Sequence, residues 1–124
     1  MTQDPTQEPW PSELRLNAEK NALRVVFMNG VAESLSAELL RVMSPSAEVQ
    51  GHSAAERRLV PGKRNVTIRA VEPVGNYAVR LVFSDGHNTG IYSWSYLHEM
   101  AGKKDELWNT YQQELAAAGQ NRDR

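Results

Sequence analysis

Leu23-Arg24-Val25-Val26-Phe27-Met28-Asn29-Gly30-Val31-Ala32-Glu33-Ser34 is the stretch on which the fold turns. Its first half is β-branched, aliphatic and aromatic, the composition of a strand. Asn29-Gly30 tolerates positive φ at both central positions of a type I′ turn, so the chain is predicted to reverse there into a short strand over 31–34. Upstream, Glu13 to Leu16 alternates outward and inward residue types, and Asn17 to Asn21 makes a polar turn before Leu23. Three antiparallel strands in a meander follow from this reading.

The same signals recur later. Val66 to Val71 and Tyr77 to Phe83 read as strands joined across Glu72-Pro73-Val74-Gly75-Asn76, and Asp85-Gly86 marks a hairpin into a strand over His87 to Tyr92. Between the two meanders, Ser36 can cap a helix with Glu38 in its first turn, where a carboxylate meets the positive end of the helix dipole. Leu39, Leu40 and Met43 give that short helix an apolar stripe, and Pro45 stops it. Residues 44–65 lack periodicity and carry Pro45, Gly51, Pro61 and Gly62, which predicts a long loop. Ser93 to Met100 suggests a helical turn. Lys103 to Ala118 spaces Leu107, Tyr111 and Leu115 four apart on one helix face, and Gly119 ends it.

The predicted fold class is therefore α+β: two antiparallel β-meanders, a short middle helix and C-terminal helices. With 124 residues the chain fits a single core, read here as one domain over 12–118 between a proline-punctuated tail at 1–11 and a polar tail at 119–124. Lys and Arg total 14 against 15 Asp and Glu, so no global field selects nucleic acid or an anionic membrane. Neither an apolar leader segment nor a long apolar run occurs, and the location expected from this is cytoplasmic. The absence of cysteine excludes disulfides, thiolate-held zinc, cysteine-ligated iron–sulfur clusters and a cysteine nucleophile.

The chain has no nucleophile elbow and no phosphate-cradling glycine loop, and none of its serines stands in a sequence frame with His and Asp. His87 lies in Ser84-Asp85-Gly86-His87 and could shuttle a proton or ligate a metal. His52, His98, Asp85 and Glu48 are possible companions, but no metal-binding spacing links them. Arg57, Arg58, Lys63 and Arg64 form a basic cluster in the long loop that could meet phosphates; a solvated face is the plainer reading, and nucleic acid is not the partner expected.

Four segments together carry a family resemblance. Leu39-Leu40-Arg41-Val42-Met43-Ser44-Pro45-Ser46-Ala47-Glu48-Val49-Gln50-Gly51-His52, Val74-Gly75-Asn76-Tyr77-Ala78-Val79, Phe83-Ser84-Asp85-Gly86-His87 and Gly90-Ile91-Tyr92-Ser93-Trp94-Ser95-Tyr96-Leu97 resemble the domain of unknown function numbered 971, also called the gamma-butyrobetaine hydroxylase-like N-terminal domain. In the hydroxylases this domain is an accessory to a separate oxygenase domain. The resemblance sets Ser44, Ser46, Val49 and His87 against a zinc site of three thiolates and one imidazole, and implies that the zinc site is lost here. Fusion of similar domains to iron–sulfur ATPases implies an adaptor role in cofactor assembly.

The expectation is accordingly a non-catalytic protein-interaction or accessory domain without a cofactor, able to form a homodimer, and linked to iron–sulfur assembly or oxygenase components. Its surface would gather Arg41, Asn76, His87, Tyr92 and Trp94, the side-chain types that dominate interface energetics. The alternative is an iron- or zinc-binding protein that uses His87 with His52.

Overall fold

The computed structural model describes residues 10–50 and 58–123. The chain runs through β1 (Pro11–Leu16), β2 (Ala22–Phe27), β3 (Ala32–Ser36), α1 (Ala37–Val42), α2 (Ala47–Gln50), β4 (Ile68–Val74), β5 (Ala78–Phe83), β6 (Ile91–Ser93), α3 (Trp94–Gly102) and α4 (Lys104–Ala117). The strands form two antiparallel sheets, ordered β1-β2-β3 and β4-β5-β6. This is the α+β arrangement of two meanders expected above.

Alternation decides which face is buried. Leu23, Val25 and Phe27 point inward from β2, and Leu23 lies opposite Leu35 of β3. From the second sheet Ile68, Leu81 and Phe83 enter the same core, with Ile68 opposite Phe83. Leu97 and Met100 of α3 and Tyr111 and Leu115 of α4 close that cluster. Helix α3 packs on β2, β3 and β6, so it bridges the two sheets. The stripe predicted from the four-residue spacing on α4 is the one it buries.

Two expectations about turns are corrected. Both hairpins were expected to use the Asn-Gly or Asp-Gly pair as the central residues. Instead Gly30 N–H donates to Phe27 O and Gly86 N–H to Phe83 O, so each glycine follows the turn at φ +95° and +92° respectively. Asn29 and Asp85 keep negative φ, because a type I turn plus a left-handed glycine reverses the chain with only one strained position. The expected strand over 87–92 also shrinks to Ile91–Ser93, since residues 87–90 are drawn onto the loop after α1. Conversely β4 continues through Pro73, which costs little on an edge strand whose outer N–H groups have no ladder partner.

Ser36 Oγ caps α1 by accepting from Leu39 N–H at 3.0 Å, and Ser93 Oγ caps α3 by accepting from Tyr96 N–H at 3.1 Å. The long loop contains the four-residue α2, which sequence periodicity did not reveal. Residues 120–123 lie along the segment before β4: Gly62 N–H donates to Asn121 O and Arg64 N–H to Arg122 O, each at 3.1 Å. Arg122 holds the buried carboxylate of Glu38 in a two-pronged ion pair at 2.9 and 2.7 Å and lies 4.9 Å from the centre of the Trp108 ring. Among the described residues no helix is long and apolar enough to cross a membrane.

Candidate functional site

The C-terminal end of α1 leaves backbone carbonyls without helical partners, and the chain satisfies them with side chains. Tyr92 O–H donates to Leu40 O, Tyr96 O–H to Met43 O, and Gln50 Nε2 donates to Ser44 O at 2.9 Å. These bonds bring β6, α3 and α2 around one short turn, Ser44-Pro45-Ser46. Gly90 makes the approach possible: a Cβ there would lie 2.5 Å from Ser44 Oγ and 3.1 Å from the Tyr92 ring.

A polar network fills the turn. Ser44 Oγ and His87 Nε2 lie 2.9 Å apart, and His87 Nδ1 lies 3.2 Å from Glu48 Oε2. An ionised carboxylate can only accept, so Nδ1 carries the imidazole proton and the Ser44 hydroxyl donates to Nε2. Ser44 Oγ in turn accepts from Ser46 N–H at 3.2 Å. Ser46 Oγ sits 2.7 Å from Thr89 Oγ1 and accepts from Glu48 N–H at 3.1 Å. Burial, followed by the nearby Arg41 charge, pushes the His87 pKa below its ordinary value against the opposing pull of Glu48 and Asp85.

Beside it stands a charged cluster. Asp85 Oδ2 accepts from Arg41 Nε at 2.8 Å and from Lys63 Nζ at 2.6 Å, while Oδ1 accepts from His87 N–H at 3.1 Å. Burial pushes the Asp85 carboxyl up, but the bonds from Lys63, the His87 backbone and Arg41 together outweigh it and hold the pKa at about 2. One aspartate thus shapes the hairpin locally and fastens it to α1 and to the segment before β4. A cleft of about 410 Å³ opens here, lined by Arg41, Glu48, Val49, Arg58 and His87 together with residues 59–61.

Ser44, His87 and Glu48 stand in the order of a serine–histidine–acid relay, a juxtaposition that no spacing in the sequence announced. Ser44 has 0% exposure and Gly90 lies against its hydroxyl, so a substrate carbonyl has no path to Oγ in this conformation. The residues do not fit zinc either. Ser44 bonds directly to His87, Val49 offers an isopropyl group, and two hydroxyls with one imidazole are a poor donor set for that ion. Among the described residues no cluster of three His, Asp or Glu side chains is placed to hold a metal. His52 and Arg57 lie outside the described residues.

Four of the five residues singled out from sequence fall into two groups. Arg41 and His87 meet around Asp85 at one end of β5. Asn76 and Trp94 meet at its other end, where Trp94 Nε1 donates to Asn76 O at 2.9 Å. Six strand residues separate the groups by roughly 17–20 Å. Tyr92 is fully buried and Trp94 nearly so, so they position backbone instead of facing solvent; Asn76 is exposed. Sequence reasoning missed Lys63 as a partner of Asp85, and Gln50, Tyr96 and Gly90 as the scaffold of the turn. A glycine two residues before an aromatic inside an apparent strand was the available signal for Gly90.

A family model described as "Gamma-butyrobetaine hydroxylase-like, N-terminal" matches residues 14–98. Two proteins with NMR solution structures share 45% and 46% identity with the chain at TM-scores of 0.82 and 0.81. The matches cover 94% and 98% of this chain and 92% and 91% of theirs. A crystal structure from Acidithiobacillus ferrooxidans, of a protein of unknown function in the DUF971 family, shares 40% identity at a TM-score of 0.61, covering 73% of this chain and 91% of that one. No curated protein matches the chain.

Proposed function

Because this chain belongs to the gamma-butyrobetaine hydroxylase-like N-terminal family, a domain family of unknown function, we propose that it is a non-catalytic recognition domain whose contact face is the cleft beside Arg41 and His87. The supporting observation is the contrast between two neighbouring regions. The Ser44–His87–Glu48 network is internally satisfied around a sealed hydroxyl, whereas the cleft next to it is open and rimmed by cations. An adaptor in iron–sulfur or other cofactor assembly, or an accessory to an oxygenase, is the finer form of this reading and uses the same face. Arg and apolar walls together are what such an interface requires.

Chemical cross-linking in native lysate tests it. Wild type is compared with Arg58→Glu, which reverses an exposed charge at the cleft, and with Lys103→Glu, an exposed position on the far helical junction. The expected result is a set of captured proteins lost with Arg58→Glu and retained with Lys103→Glu. Equal recovery from all three proteins rejects the cleft as the contact face.

A further inference from the structure

We propose that this cleft takes a single carboxylate carried on a short aliphatic body, with Arg41 and Arg58 as its anchors; the inference rests on the recognition reading above and adds the chemistry of what is recognised. The first observation is an incomplete guanidinium. Arg41 has only 12% of its side chain exposed; its Nε is used by Asp85, yet its Nη1 is buried and, among the described residues, has no hydrogen-bond acceptor. Buried guanidinium nitrogens are paired in nearly all proteins, because stripping a charged donor of water without replacing the acceptor is costly. Arg41 lines the cleft with Asp85 bonded through Nε, and the acceptor-less side of its guanidinium, covered in this structure, matches a carboxylate.

The second observation is charge. Arg41, Lys63 and Arg58 stand around two carboxylates, Asp85 and Glu48. Asp85 is shared by two of the cations, and Glu48 is engaged by His87 Nδ1. Among the described residues no carboxylate pairs with Arg58, whose backbone N–H is tied to Val49 O at 2.6 Å and so fixes its Cα at the rim. Counted over the described residues, three cations against two carboxylates leave one positive charge, matched by a monoanion. A phosphate dianion would exceed it and would face the Glu48 carboxylate, which is 65% exposed.

The third observation is the wall. Val49 is buried, and with Leu59, Val60 and Pro61 it gives the cleft an apolar side. A volume of about 410 Å³ lies within the range of small-ligand sites, roughly 300–1,000 Å³. The same chemistry is offered by a free short-chain acid and by the C-terminal carboxylate of a polypeptide ending in an aliphatic residue.

The test uses the full chain labelled with ¹⁵N and followed by amide chemical shifts. Sodium pentanoate is expected to shift Val49, Leu59 and His87 saturably, and pentanamide to bind at least tenfold more weakly. Arg58→Gln should weaken pentanoate at least tenfold and Arg41→Lys, which keeps a cation but loses the fork, by a similar factor; Asn76→Ala should change nothing. A hexapeptide ending in valine, as free acid and as amide, separates the two sources. A free-acid peptide binding more tightly than pentanoate assigns the site to a polypeptide terminus, and the reverse order assigns it to a free acid. Pentanamide binding as well as pentanoate, or no saturable shift with either pentanoate or the free-acid peptide, overturns the proposal. If that happens while Arg58→Glu still abolishes cross-linked partners, the carboxylate falls and the recognition reading stands.

Discussion

Gly90 and Ser44 form a pair whose energetics can be worked out in advance. Ser44→Ala removes the donor to His87 Nε2 and the acceptor for Ser46 N–H, both in a buried setting. An unsatisfied buried group costs about 1–3 kcal/mol, so the single variant should lose about 2–4 kcal/mol. Gly90→Ala places a methyl 2.5 Å from Ser44 Oγ and 3.1 Å from the Tyr92 ring, and overpacking of this kind costs about 1–3 kcal/mol. The backbone of Gly90 has negative or extended φ, so space alone penalises the change. In the double variant the offending hydroxyl is gone and only the 3.1 Å approach to the Tyr92 ring remains. The two losses should therefore sum to more than the loss in the double variant, by a coupling of about 1–2 kcal/mol. Urea unfolding at pH 7, with unchanged m-values as the check on two-state behaviour, measures all three. Additivity within about 0.3 kcal/mol, or a Ser44→Ala loss below about 0.5 kcal/mol, would refute the network described here.

Three other outcomes are expected. Arg122→Ala strands the buried Glu38 carboxylate and should cost about 2–3 kcal/mol in urea unfolding, part of it restored by adding Glu38→Gln; a loss under about 0.5 kcal/mol would show that the C-terminal segment is merely adjacent. Asp85 has a folded pKa of about 2 against 3.8 unfolded, so its contribution is full above pH 4 and disappears as the pH falls toward 2. Discounted for solvent screening it amounts to about 1–2 kcal/mol, and stability-versus-pH curves of wild type and Asp85→Asn should converge over that window. Joint replacement of Ser44, Ser46 and Val49 by Cys sets three thiols around His87; metal analysis should find about one zinc per chain in that variant, and none retained after purification would argue against the correspondence of these positions.

The strands, their order and the cap of α1 could be read from the chain because each depends on neighbours within a few residues. Leu23, Val25 and Phe27 alternate, Ser36 precedes an apolar helical stripe, and Leu107, Tyr111 and Leu115 recur at a helical interval. Local rules failed where a long-range contact outbid them. The strand expected over 87–92 gave way at 87–90 because Ser44 and Ser46 compete for His87 and Thr89, and Pro73 stayed in β4 because the edge strand asks nothing of its missing N–H.

The candidate site divides in the same way. Arg41, Asp85 and His87 were conspicuous as residues, but which groups they touch depends on chain segments 22 to 44 positions apart meeting beside α1. Tyr92 and Trp94 looked like surface anchors, since aromatic side chains serve interfaces and cores alike and only burial separates the two uses.

By itself the sequence determined an α+β domain without thiols, its two meanders, and its place in a family, because composition, periodicity and motif are properties of short stretches. The tertiary structure alone decided that Ser44 would be sealed behind Gly90, that Asp85 would gather Arg41 and Lys63, and that a buried arginine nitrogen would have no acceptor among the described residues. Those are outcomes of how the packed chain distributes water and charge, and no single stretch of residues contains them.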